Sequence, residues 1–569
     1  MARSEAVAAP SPTLDPAARL SQAMAELKTQ AVLPLLAQAV AALQSEQHRE
    51  AEPLVLRALE VDDQNAFAWH LLAICREKAN DFTSAMSCYE AALKLNPDDP
   101  DLANDIGRLA YQMGMPQLAE QLFRIVVAKK PGFVDGYNNL ACALRDQMRH
   151  AEALAVLAPA IEAHPGHAML WNTLGTVVNE QGEVERAAPF YAEALRLDPE
   201  LAKARYNLAN ARLALGDVQG ALEDSAAALG PTASESERAM MRFARATMLL
   251  AAGQVEEGWR AYAARLDESY VDVTFYLIDR PGWTPEADLR GKTLLLIGEQ
   301  GLGDEVLFAN MIPEVIEALG PEGKLWLAVE PRLVGLFQRS FPAAKVTRHA
   351  TYRVDHRTVR AIPELTAPSE IDLWAPLASP LERFRASVAA FPDRRAFLPP
   401  DPERISHWRT TLKAETTGRR VGLVWKSLKI NSARSRFFSP FDAWAPVLRT
   451  AGTTMVNLQY GDCAADLARA RDALGVEIWN PPGINLKDDL EDVAALCCAL
   501  DLVIGPANAT TNLAAASGAP TWFICTPGAW PLLGTDHYPW YPSARCFAPP
   551  AFNRWEPVMA EIAAALASA

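Results

Sequence analysis

In the stretch TLLLIGEQGLGDE, Gly298, Gly301 and Gly303 run directly into Asp304 and Glu305, with Glu299 inside the loop. The apolar run Leu294–Ile297 is too short for a helix and reads as a buried strand. Asp304 then opens a helical pattern that continues to about Leu319. In an open α/β sheet this strand-to-helix junction is where ligands sit, outside the carboxyl ends of the strands. An acid placed there is a helix N-cap first and a proton acceptor second. The glycines do not make a dinucleotide fingerprint. Counted from Gly301, the third glycine of G-x-G-x-x-G falls on Val306, and no acidic strand end follows, which argues against NAD.

Other chemistry-bearing residues read more simply. Asp488-Asp489 lacks the spacing of a D-x-D metal site and reads as a helix start, so no metal is expected. The eight cysteines form no C-x-x-C pair, which disfavours both a zinc site and a disulfide framework. Trp530, Trp540 and Tyr541 read as packing residues. The balance of 54 basic and 69 acidic residues is unsuited to a general nucleic-acid binder but leaves room for a local anion pocket.

Two kinds of scaffold must position these groups. Pro97, Pro131, Pro165 and Pro199 recur every 34 residues, the period of the tetratricopeptide repeat. Other signature positions keep step: Trp69, Ala85 and Tyr89 before Pro97, Gly107 and Phe123 before Pro131, Gly175 and Tyr191 before Pro199. A fifth repeat reaches about Pro231, and weaker units flank the ladder near 32–65 and 236–269. Small residues let paired helices approach, large ones fill the gap, and proline ends each second helix. Asn104, Asn138, Asn139, Asn172, Asn179, Asn207 and Asn210 fall on first helices, the face lining the groove of such a solenoid. Of these, Asn138, Asn172 and Asn207 are the candidates for holding the backbone of an acceptor polypeptide.

From Lys292 the pattern alternates strand and helix, implying parallel sheets with helices on both faces. Strands are expected at 293–297, 325–329, 371–374, 421–425, 453–458, 476–479, 502–504 and 521–525. The resulting fold class is multidomain: an all-α repeat superhelix, then an α/β region of two Rossmann-like lobes. Its expected parts are a flexible tail (1–30), the solenoid (31–270), a connector (271–291), a first lobe (292–398), and a second lobe (399–569) with a closing helix. The N-terminal residues lack the apolar core of a signal peptide, and Ala31–Leu43 is too short to span a bilayer. A cytoplasmic, reduced protein without a membrane span is expected.

The segments GEQGLGDEVLFANMIPEV, VGLVWKS, NLQYGDC, LDLVIGPANATTNLAAASGAPTW and HYPWYPSARCF occur in an order that resembles bacterial proteins joining tetratricopeptide repeats to a heptosyltransferase-like GT-B domain. NLQYGDC with NLKDDLEDVAAL is closer still to the repeat-containing flagellin glycosyltransferases. The resemblance implies transfer of a nonulosonic acid of the pseudaminic or legionaminic type from a CMP donor to Ser or Thr of flagellin. It makes Asp304 the base, Glu305 the reserve and Glu299 the third choice. The phosphate then meets cations and helix N-termini in the second lobe. Lys426 and Ser427 follow strand VGLVW, Arg434 and Arg436 lie on the next loop, and Tyr460 and Gly461 end another strand at the same edge. Asn508, Thr510, Thr511 and Asn512 open a helix whose amides and hydroxyls would cradle phosphate or carboxylate. Gly301 and Gly303 would let the loop approach the nucleotide sugar, and no tightly bound cofactor is implied.

This chain departs from the heptosyltransferase pattern where Asp-Thr and a later His are usual: it has Ala507-Asn508 and Asn512. That departure disfavours an ADP-heptose donor and fits a CMP-linked one. Two alternatives stay open: O-linked transfer of GlcNAc from UDP, and a non-catalytic adaptor or flagellin chaperone with a degenerate GT-B domain.

Overall fold

A computed structural model describes residues 16–230, 233–354, 357–428 and 430–568. The chain divides into two compact units, residues 1–165 and 166–569. The first unit is helical. A long helix, Pro16–Gln44, precedes His48–Val61 and three regular pairs: Ala66–Lys78 with Phe82–Leu95, Pro100–Gln112 with Pro116–Lys129, and Val134–Asp146 with His150–Ala163. Helix from Pro16 thus falls within the expected tail of 1–30. Residues 1–15 and the Pro231 boundary of the fifth repeat lie outside the described residues.

The ladder's small-and-large rule has a direct geometric basis. A Cβ on Gly107 would meet the Phe123 ring at 2.7 Å, and one on Gly175 would meet Tyr191 at the same distance. Second helices end at Leu95, Lys129, Ala163 and Leu197, two residues before each of the periodic prolines. Proline disfavours helix in the residue before it and cannot continue the ladder of backbone bonds.

The second unit begins with three more helix pairs, Ala168–Glu180 with Val184–Leu197, Ala202–Ala214 with Val218–Ala227, and Glu235–Ala251 with Val255–Tyr262. The α/β region follows. Its first sheet contains β2 (Thr293–Ile297), β3 (Lys324–Val329), β4 (Ala344–Arg348) and β7 (Leu373–Pro376), all parallel in the order β4-β3-β2-β7. A small mixed sheet, β1 (Thr274–Tyr276), β6 (Arg357–Ala361) and β5 (Ala350–Val354), lies beside it. The expected connector therefore contributes a strand. The second lobe is a six-stranded parallel sheet, ordered β10 (Ile478–Trp479), β9 (Thr453–Asn457), β8 (Arg419–Leu423), β11 (Leu502–Pro506), β12 (Thr521–Ile524) and β13 (Arg545–Phe547).

Strands buried on both faces read as unbroken apolar runs, and these do. In β2, Leu294 and Leu296 join a core containing Trp259, Phe308 and Trp540, while Leu295 and Ile297 pack with Trp326 and Ile371 on the opposite face. In the second sheet Val421, Leu423 and Ile504 face the closing helix, Trp555–Ser568, whereas Val424, Val503 and Phe523 join the Trp259 core. The last repeat is part of that core, and Trp259 Nε1 donates to the Arg385 carbonyl at 3.0 Å.

Candidate functional site at the facing sheet edges

The glycine loop follows β2 and is tied down by buried ions. Glu299 accepts two bonds from the Arg265 guanidinium, at 2.6 and 2.9 Å, and a third from the Ala378 N–H at 2.6 Å. Glu305 accepts from the Glu330 N–H at 2.8 Å, lies 3.0 Å from His349 Nε2, and is 3.8 Å from Arg360. Its fold-back requires Gly298, whose Cβ would fall 2.3 Å from the carboxylate. Gln300 sits at φ 57°, accepting from the Tyr262 hydroxyl at 3.0 Å. Both reserve acids are thus corrected: Glu305 and Glu299 are 1% and 2% exposed and hold strand ends and the last repeat together.

Asp304 differs from them. It makes no ion pair among the described residues and is half-buried. The N-cap is Gly301, not Asp304. The aspartate lies in the first turn of the Leu302–Phe308 helix and reaches back to accept the Gly301 N–H at 3.1 Å. Burial pushes its pKa up to about 6. The Gly301 N–H opposes that rise, the charges of Glu299 and Glu305 add to it, and Arg434 opposes it. A carboxyl poised there is ionised at neutral pH yet basic enough to accept a proton.

In the second lobe the strand order reverses direction at β8, with β9 and β10 on one side and β11 to β13 on the other. A crevice at such a reversal is the general ligand position of open α/β sheets. Gln459 clamps the ends of β8 and β9, its Oε1 accepting from Trp425 and Lys426 N–H groups at 3.0 and 2.9 Å. Its Nε2 donates to the Lys426 and Tyr460 carbonyls. The Lys426 ammonium is 2.6 Å from Asp466, so this cation already has a counter-ion. Ser427 and Tyr460 are half-buried near it, and Gly461 turns at φ 79° against Leu428.

The Ala509–Ala516 helix corrects the expected cradle. Asn508 Oδ1 accepts the Thr510 and Thr511 N–H groups at 3.0 and 3.2 Å, and the Thr511 hydroxyl donates to the Pro506 carbonyl at 2.6 Å. The helix is therefore capped from within, and Thr510 and Thr511 are buried. Two polar atoms remain unpartnered there, Asn508 Nδ2 and Asn512 Oδ1. Gly303 brings the first lobe against this corner: its Cβ would lie 3.3 Å from the Ala509 backbone and 3.6 Å from Asn512 Nδ2. Asp304, Gly301, Gly303, Asn508 and Asn512 thus share one place, while Lys426, Ser427, Tyr460 and Gly461 form a second group along the same sheet edge.

A cavity of about 360 Å³ opens beside the corner. The second lobe lines it with Pro506, Ala507, Cys525, Thr526, Trp530, Tyr538 and Phe552, and the loop after β8 adds Arg434, Arg436, Phe437 and Phe438. Asn179, Asn210 and Thr247 of three consecutive repeats form the opposite wall. Two loops are latched to one repeat helix: Ser432 donates to Glu180, Asn553 to the Gln181 carbonyl, and Arg436 Nη1 to the Asn179 carbonyl at 3.1 Å. Among the described residues no Asp or Glu lines the cavity, in a chain of formal net charge −15.

Of the proposed acceptor asparagines, Asn172 is 6% exposed and accepts from Asn207 Nδ2 at 2.9 Å. This pair links adjacent repeats. Asn138 is half-buried on the Val134–Asp146 helix of the other unit. Reasoning from sequence missed Tyr538 and Phe552 as cavity residues; the 34-residue phase already put Asn179 and Asn210 on first helices.

Comparison with known proteins identifies the repeats and a full-length relative. Family models described as tetratricopeptide repeat match residues 66–99 and 138–202. Protein FlbA of Caulobacter vibrioides is 49% identical over 548 residues, covering 96% of this chain and 92% of that protein. The human protein O-mannosyl-transferase TMTC1 is 27% identical over 131 residues, covering 22% of this chain and 15% of that protein. The structure of TTC0263, a thermophilic TPR protein of Thermus thermophilus, matches at 27% identity over 33% of this chain and 100% of its own, with a TM-score of 0.29. Among the described residues no helix is long and apolar enough to cross a membrane. With 49% identity extending over nearly the whole of both sequences, the chain belongs to the family of Protein FlbA.

Proposed function

We propose that this protein is a metal-independent protein O-glycosyltransferase whose α/β region works as a GT-B domain, with the solenoid, first-lobe and second-lobe boundaries given above. It transfers a nonulosonic acid of the pseudaminic or legionaminic type from its CMP donor to Ser or Thr of flagellin in the cytoplasm, and the repeats bind the acceptor. One observation carries the reading: a cavity lined by two arginines and, among the described residues, by no acid lies at the reversal point of a parallel sheet, and the Arg434 charge on its wall acts on the half-buried Asp304 carboxyl, whose pKa is about 6. The name of the TMTC relatives, protein O-mannosyl-transferase, supports the reaction class.

In this mechanism Asp304 takes the proton of the acceptor hydroxyl as its oxygen bonds to the anomeric carbon. The bond from that carbon to the phosphate oxygen breaks, and CMP leaves with the electron pair. Arg434 balances the phosphate charge as it develops. A CMP-linked donor is supported by Asn508 and Asn512, neutral amides where the heptosyltransferase pattern has an acid and an imidazole.

The test is the glycan mass on flagellin made with Asp304→Ala. Loss of modification is expected, and undiminished modification removes Asp304 as base. Thermal stabilisation of the full chain by CMP and not UDP is expected; the reverse favours transfer of GlcNAc from UDP. A second reading, an adaptor or export chaperone, is favoured by the internally capped corner at Asn508. Stabilisation by no nucleotide would select it.

A further inference from the structure

Within the cavity one cation is built in an unusual way. Arg436 lies beside two rings, its guanidinium carbon 5.1 Å from the Phe437 centroid and 5.2 Å from that of Phe552. Nη1 donates to the Asn179 carbonyl, which fixes the third side of the group. Nε is buried and has no partner, and Nη2 makes no hydrogen bond to the described residues. Arg436 forms no ion pair among the described residues; the Glu180 carboxylate, which accepts from Ser432, acts on it only as a more distant charge. Burial pulls the guanidinium below its usual pKa.

Leaving a charged donor buried and unbonded costs more than leaving a neutral one. Other buried arginines here keep a carboxylate in range: Arg265 bonds Glu299, Arg385 bonds Glu314, and Arg360, whose Nε is likewise unpartnered, lies 3.8 Å from Glu305. Nε and Nη2 are the two donors on one edge of a guanidinium, the edge that grips a carboxylate with two parallel bonds. We infer that Arg436 is a specificity-determining residue, holding the carboxylate of a sugar acid through its free Nε–Nη2 edge. The inference rests on the transferase reading for placing a sugar in this cavity, and it assigns to one side chain the choice of an acidic sugar over a neutral one. Arg434, exposed and the arginine whose charge acts on Asp304, is left to the donor phosphate. Because the Arg436 loop is tied to the repeat helix Ala168–Glu180, the carboxylate grip is seated on the repeats themselves.

The experiment uses the full chain with three probes: CMP, N-acetylneuraminate and its methyl ester. The wild type should bind the free acid more tightly than the ester by about 10-fold or more, the scale of a charged two-bond contact. Arg436→Lys keeps the charge and the stem but loses the fork, and Arg436→Gln loses both charge and fork. Each should bring the acid-to-ester ratio close to one while leaving CMP affinity unchanged. A wild type that binds acid and ester equally overturns the inference. So does an Arg436→Lys protein that keeps the preference, and this variant decides the matter where Arg436→Gln fails to fold. If Arg436→Lys lowers affinity for CMP or inorganic phosphate and spares the acid-to-ester ratio, the anion is phosphate and the assignment falls. The transferase reading fails separately, through unaltered flagellin glycan mass with Asp304→Ala.

Discussion

The carboxyl edges of the two sheets treat their charges in opposite ways. At the first-lobe edge, Glu299 and Glu305 lie within hydrogen-bond distance of Arg265, His349 and backbone N–H groups, and Arg360 stands 3.8 Å from Glu305. At the second-lobe edge, Arg434 and Arg436 line a cavity with no acid, and neither makes an ion pair among the described residues. An edge whose carboxylates are matched holds shape; arginines left without a carboxylate are prepared for something not yet bound. Asp304 is the exception on the matched side, and it stands where the two edges meet.

That contrast is most severely tested at Glu299. In Glu299→Ala the Arg265 guanidinium, 5% exposed, stays buried without its counter-ion. Breaking one side of a buried pair costs about 3–5 kcal/mol. Since Arg265 follows the last repeat, the loss should unfasten repeats from lobes, and chemical denaturation followed by tryptophan fluorescence should show an earlier or split transition. A variant as stable as the wild type would mean that the matched edge is not structural.

Asp304→Asn should behave otherwise. The Gly301 cap is weakened by about 1 kcal/mol at most, whereas removal of a general base lowers the rate by about 10²–10⁴-fold. The pH dependence follows from the raised pKa. Wild-type turnover should fall as pH drops through about 6, where Asp304 takes up its proton, instead of near the ordinary aspartate value. Stability runs the other way. The folded chain binds this proton more readily than the unfolded one, so the ionised carboxyl is a burden above pH 6 that is relieved as pH falls from 6 toward 4. Relative to the wild type, Asp304→Asn should gain stability at pH 7–8 and lose that advantage on acidification. A rate profile centred near 4 would break the distinction between Asp304 and its matched neighbours.

The repeats were legible because their physics is local and periodic: Gly107 against Phe123 and Gly175 against Tyr191 recur at a fixed interval. The strands with buried apolar runs were legible for the same reason. The strands β1, β5 and β6 were not, since Arg353, Arg357 and Arg360 interrupt any apolar pattern and pairing alone defines them. At the site, sequence marked the right loops but could not apportion their charges. Asp304 and Glu305 are neighbours in the chain, yet a helix turns successive side chains about 100° apart. Glu305 is directed toward His349 and the strand ends. Likewise nothing local distinguishes Lys426, paired with Asp466 forty residues away, from Arg434, which has no such partner among the described residues.

The smallest effect is expected at the seam between the edges. Gly303 has no left-handed φ to favour glycine, so its reason is space: a Cβ would sit 3.3 Å from both Cα and N of Ala509. Backbone atoms cannot rotate aside as a flexible side chain does, so Gly303→Ala must part the two helix starts by a few tenths of an ångström. Overpacking of this kind costs about 1–3 kcal/mol, and at a seam that can open the lower end is expected. Asn512, whose Nδ2 lies 3.6 Å from the same point, would move with it and disturb the pair of unpartnered amide atoms. Nucleotide affinity measured by calorimetry should therefore shift by less than about 10-fold while the Glu299–Arg265 side stays intact. If Gly303→Ala instead unfolds the lobe as Glu299→Ala does, the seam belongs to the matched, shape-holding edge, and Asp304 sits in a joint that does not open to a substrate.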